Sequence, residues 1–140
     1  RLFVAKGGVR AVDSPVDALL AQSDGNIYFY ISHQDAERLH VAQGTQPARI
    51  LHPNLIEAND VRLSGRVSGG EGGLLVLNED PSARWRARIN GKPVHGLRVN
   101  AFQTGFPAPA GPFSFEIDRP GCLPEYRTTA FPAQAPWAGD

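Results

Sequence analysis

The chain has 140 residues, 14 Lys and Arg against 14 Asp and Glu, and a hydrophobic share of 41%, which suits one domain able to bury roughly two thirds of its unfolded surface. Zero net charge argues against a nucleic-acid partner held by bulk phosphate neutralisation, and no run approaches the roughly 18 apolar residues of a membrane-spanning helix. Fifteen Gly and 12 Pro point to many short strands with turns between them, and the one cysteine, Cys122, excludes an internal disulfide and a multi-cysteine zinc site.

The first legible element is a helix in "DSPVDALLAQSDG" (13–25). Ser14 suits the N-cap, Pro15 the first helical position and Asp17 the positive end of the dipole. Val16, Leu19 and Leu20 share one stripe, which a helix this short is expected to dock against a neighbour. "NIYFYIS" (26–32) is aromatic and β-branched and predicts a buried strand. "HQDAERLHVAQG" (33–44) fits either a helical turn or the start of a strand, and "ARILHP" reads as a short strand ended by Pro53.

From residue 60 onward the pattern is that of strands. "DVRLSGRVS" sets Val61, Leu63, Gly65 and Val67 against Arg62, Ser64 and Arg66. "SGGEGG" is a flexible turn, and "LLVLNE" is apolar enough to be a central strand covered on both faces. Residues 85–89 and 92–99 flank Asn90-Gly91, a two-residue hairpin signal. "NAFQTGF" follows, then the turn "PAPAGP", then "FSFEID" with Phe113, Phe115 and Ile117 on one face. The expected fold is mainly β: an antiparallel, jelly-roll-like β-sandwich over 1–131 with one short N-terminal helix, and a Pro/Ala-rich tail or linker at 132–140.

Within "RWRARINGKPV" (84–94), alternation puts Trp85, Ala87 and Ile89 on one face and Arg84, Arg86 and Arg88 on the other. Trp85 is the core candidate. The arginines, with Lys92, face either solvent, where they blunt an edge, or an anionic partner such as a lipid head group or a phosphorylated carrier.

Residues Leu74–Leu77, Asn78, Pro81, Trp85, Asn90-Gly91-Lys92-Pro93-Val94, Phe102–Phe106 and Pro109-Ala110-Gly111 carry a resemblance. An apolar strand, a proline turn, a Trp-headed strand, an Asn-Gly-Lys hairpin, an aromatic strand and Pro-Ala-Gly occur in this order. The run resembles the C-terminal extracytoplasmic β-domain of multi-span bacterial membrane proteins: the YfhO-like family and the actinobacterial membrane glycosyltransferases, among them the arabinofuranosyltransferases of the cell envelope. Ser82-Ala83-Arg84 stands where that pattern has a single Gly before the Trp. The resemblance implies a domain on the outer face of the cell membrane, joined to the transmembrane part of the same parent chain. A chain that begins at Arg1 and holds no Met fits the expectation of a processed or excised piece.

Catalytic patterns are not evident. His33, His40, His52 and His95 form no HxH or HExxH pair, no GxSxG elbow is present, and Glu79-Asp80 are adjacent and would diverge in an extended chain. No metal or cofactor is expected. The binding chemistry lies in the aromatic residues, since sugars stack on exposed rings while amides and guanidinia bond their hydroxyls. Tyr28, Tyr30, Tyr126 and Trp137, with Arg98, Asn100 and Gln103, are the candidate carbohydrate-binding residues; Tyr28 and Tyr30 have core packing as the competing role. The expected function is a non-catalytic accessory domain of a membrane glycosyltransferase that docks cell-wall polysaccharide or a lipid-linked sugar. The alternative is a structural or protein-interaction domain that braces transmembrane helices, and a free-standing hydrolase is the third reading.

Overall fold

The structure, a computed structural model, describes residues 1–21, 27–38, 46–69 and 72–119. The tail expected at 132–140 lies outside them. Among the described residues there are twelve strands: β1 (Leu2–Lys6), β2 (Val9–Val12), β3 (Phe29–Ser32), β4 (Arg49–Leu51), β5 (Asn54–Ala58), β6 (Arg62–Val67), β7 (Gly73–Leu77), β8 (Arg86–Ile89), β9 (Lys92–Val94), β10 (Leu97–Val99), β11 (Gln103–Ala108) and β12 (Phe113–Asp118). Two short helices join them, α1 (Pro15–Ala21) and α2 (His33–Arg38).

Ten of the strands form the sandwich. One sheet has the order β10-β11-β7-β1-β4 and the other β5-β6-β12-β8-β9, and every neighbouring pair in both is antiparallel. The alternation seen in the sequence decides what lies between them. Leu2, Val4, Leu75, Leu77 and Phe106 of the first sheet meet Leu63, Val67, Ala87, Ile89, Phe113, Phe115 and Ile117 of the second. Trp85 joins this core at 2% exposure, where the guanidinium groups of Arg1 and Arg119 lie 5.4 and 5.7 Å from its ring centre.

β7 is central and apolar on both faces, as its unbroken run requires. Leu75 and Leu77 point into the sandwich, while Leu74 and Val76 point out of it and meet a second core. That second core holds Val9, Phe29 and Ile31 from β2 and β3, a parallel pair laid over the outer face of the first sheet. α1 is the crossover between these two strands, making a small βαβ unit.

Ser14 caps α1 as expected, its Oγ accepting from Asp17 N–H at 3.2 Å. The docking stripe is a correction. Val16, Leu19 and Leu20 are 63%, 48% and 67% exposed, and Ala18 is the buried residue. Tyr28 and Tyr30 occupy the space beneath the helix, and only small side chains, Ala18 with Ala21 at its margin, fit above them. The ambiguous stretch after 32 is helical at its start: Ser32 Oγ caps α2 by accepting from Asp35 N–H at 3.0 Å.

Asn90 (φ 53°) and Gly91 (φ 79°) form the hairpin turn, both in the left-handed region that Asn and Gly tolerate best. The strand read over 92–99 is two strands in different sheets. The chain leaves β9 at Val94, crosses through His95-Gly96 and enters the other sheet as β10.

Candidate functional site

An open cleft of about 370 Å³ lies on the outer face of the first sheet, beside the β2–β3 layer. Phe3, Ile27, Tyr28, Phe29, Ile50, Asn100 and Gln103 line it. Phe3 and Ile50 come from β1 and β4, in register with Val76 and Ala5, so both point away from the sandwich core. Phe29 begins β3, and its ring tilts 50° against Phe3 at 5.6 Å. None of the lining residues is charged.

A ladder of amides fixes the polar side. Asn100 stands in the β10–β11 turn at φ 53° and imitates a strand residue toward β3. Its N–H donates to Tyr30 O at 2.9 Å, and its Oδ1 accepts from Tyr30 N–H at 2.8 Å. Its Nδ2 donates to Gln103 Oε1 at 3.0 Å, and Gln103 Nε2 donates to Asn78 Oδ1 at 3.3 Å. Each NH₂ in this chain carries a second hydrogen. The ladder thus fixes the amides of Asn100 and Gln103, both on the lining of the cleft, beside an apolar wall, an arrangement common in small-molecule clefts.

The site residues read from the sequence fare unevenly. Asn100 and Gln103 meet at the cleft with Tyr28 at its margin. Tyr28 and Tyr30 are 8% and 3% exposed, packed beneath α1, with the Arg10 guanidinium 3.7 Å from the Tyr28 ring centre. Tyr30 is absent from the cleft lining and Tyr28 reaches it only at its margin, because the rings fill the layer under the helix. Arg98 turns away and donates from Nη1 to Ala101 O at 2.9 Å, bracing the turn that holds Asn100. Tyr126, Trp137 and Cys122 lie outside the described residues. The sequence reading missed Phe3, Ile27, Phe29 and Ile50. Phe29 is the one that local signals mark, since it sits inside the aromatic strand.

The arginine face is corrected. β8 starts at Arg86, and Arg84 precedes it in the left-handed region at φ 54°, closing a 3-10 turn over Pro81–Ala83. Alternation therefore does not extend to it. Lys92 pairs in register with Ile89, on the inward-facing set, and is exposed only because it stands at the hairpin tip. The remaining cations are interleaved with acids from other strands. Asp118 lies in register with Arg62 on one side and Arg86 on the other, with Arg86 Nη2 3.4 Å from its Oδ1; Glu116 lies likewise between Ser64 and Arg88. Burial pushes the Asp118 carboxyl above its ordinary value, and Arg86 and Arg62 pull it partly back.

The acids at 79 and 80 separate as expected of neighbours. Glu79 pairs with Arg1 at 3.2 Å, and Asp80 Oδ1 accepts from Ser82 N–H at 2.8 Å. That bond holds the Asp80 carboxyl below its ordinary value. Among the described residues no three His, Cys, Asp or Glu side chains gather as metal ligands. No helix among them is long and apolar enough to cross a membrane. No protein-family model, curated protein or solved structure matches the chain.

Proposed function

We propose that the chain is a non-catalytic docking module on the extracytoplasmic face of a cell membrane, part of a larger membrane protein of the YfhO-like or membrane-glycosyltransferase kind. Its cleft takes a short stretch of neutral glycan, either cell-wall polysaccharide or the sugar of a lipid-linked carrier. One observation carries this reading: an open, uncharged, largely apolar cleft edged by amides whose orientation is already set. Sugar C–H faces lie against Phe3, Ile27 and Ile50, and sugar hydroxyls bond to the amides of Gln103 and Asn100. Weak binding of this kind raises the local concentration of glycan near a membrane active site on the same parent chain. The chemistry of transfer belongs to that parent and needs no cofactor here.

NMR titration with arabinan, galactan and mannan oligosaccharides tests the proposal. Shifts confined to Phe3, Phe29, Ile50, Asn100 and Gln103 are expected for at least one of them. Silence at millimolar glycan overturns it. The bracing alternative has one observation in its favour: the exposed stripe of Val16, Leu19 and Leu20 on α1, a face suited to packing against another apolar surface.

A further inference from the structure

We propose that the outer edge of β5 is where a second copy of this chain docks, strand against strand about a twofold axis. Four strands bound the two sheets: β10 and β4 in one, β5 and β9 in the other. Three are poor templates for another strand. β3 covers the end of β10 through the paired bonds between Asn100 and Tyr30. β9 has three residues with Pro93 in the middle, which offers no N–H. β4 is also only three residues long.

β5 lacks these protections. It has five residues, all exposed, with neither Pro nor Lys among them. A bulge between Leu55 and Glu57 interrupts its register with β6. Bulges commonly guard an edge, but this one presents Ile56 at 75% exposure next to Leu55 at 49%. A guarded edge would carry a charge at that position.

Charge selects the occupant. At the Asn54 end stands the exposed Arg66, the register partner of Asn54. At the other end are Glu57 and the exposed Asp60, with Glu57 only loosely paired to Arg62 at 3.8 Å. An antiparallel twofold pairing lays the apolar middle of one β5 on that of the other. It also brings the Arg66 end of each copy to the Glu57 end of its partner, so the surface is complementary to itself. Zero net charge leaves little long-range repulsion to oppose the approach. The two five-stranded sheets would then continue into one another across the contact.

Sedimentation velocity on the full chain, from micromolar to near-millimolar concentration, tests this. A monomer–dimer equilibrium is expected, and Ile56→Lys is expected to weaken it about tenfold or more. Arg66→Glu alone weakens it as well, and Arg66→Glu combined with Glu57→Arg restores it. Thermal melts show that each variant is folded; Ile56 and Arg66 are both exposed, and the Arg66 pair supplies a second route should Ile56→Lys fail to fold. A chain that stays monomeric at every concentration overturns the proposal. So does a dimer indifferent to Ile56→Lys and Arg66→Glu, or one broken instead by Leu20→Lys on α1.

Discussion

The interior of the sandwich and the layer outside it are packed by different means. Between the two sheets, Phe106, Phe113, Phe115, Ile117 and Trp85 interdigitate with leucines and valines from both sides. Outside, α1 rests on Tyr28 and Tyr30 through Ala18 and leaves its larger apolar side chains in solvent. Hydrophobic alternation therefore tells which residues could be buried, while the size of the partner decides which of them are. The outer layer depends instead on the second core and on the Asn100 ladder, and the cleft lies at that junction.

The contrast can be broken most severely in the interior. Phe115→Ala removes a ring at 2% exposure and is expected to cost about 3–5 kcal/mol, read as a lowered denaturation midpoint. A loss below ~1 kcal/mol would mean that the sheets are not closely packed. At the junction, Asn100→Ala leaves the buried N–H of Tyr30 without its acceptor, and a cost of about 1–3 kcal/mol is expected. The same substitution should raise amide exchange in β2 and β3 more than in β7. At the helix surface, Leu20→Ser changes a side chain that is 67% exposed and is expected to move stability by less than about 0.5 kcal/mol.

The smallest effect is a dependence on pH. Burial, then the Arg38 guanidinium, pushes the His95 imidazole below 6.5, against the opposing pull of Asp35. The folded chain thus holds this proton less readily than the unfolded chain. The His95 contribution is present above pH 6.5 and is lost as pH falls through the lowered folded value. Melting temperatures taken from neutral to mildly acidic pH should fall less for His95→Gln than for the native chain. An equal or steeper fall in the variant would contradict this.

What the sequence shows follows the range of the forces involved. Asn90-Gly91, the run at Leu74–Leu77 and the alternation of Phe113, Phe115 and Ile117 are local signals, and each produces the expected element. β1 and β2 carry a weaker signal, because Gly7-Gly8 splits "LFVAKGGVRAV" into two short pieces that enter different sheets. β5 is obscured by its bulge at Ile56. The parallel pairing of β2 with β3 has no local signature at all.

The cleft divides the same way. Asn100 and Gln103 are close in sequence and legible, together with Arg98, as polar candidates, whereas Phe3, Ile27 and Ile50 converge only through the fold. The neighbours of the arginine row are hidden from the sequence for a related reason. Alternation within 84–94 gives no sign of Glu116 and Asp118, which β12 brings directly alongside.

The outer βαβ layer is attached to the sandwich at a seam, and the cleft lies at that seam. Native-state hydrogen exchange tests it most directly, comparing Tyr30 and Ile31 in β3 with Leu75 in β7 and Phe115 in β12. The prediction is that the β3 amides exchange through a smaller opening, at least about tenfold faster than those of β7 and β12. Uniform protection of all four amides would contradict it.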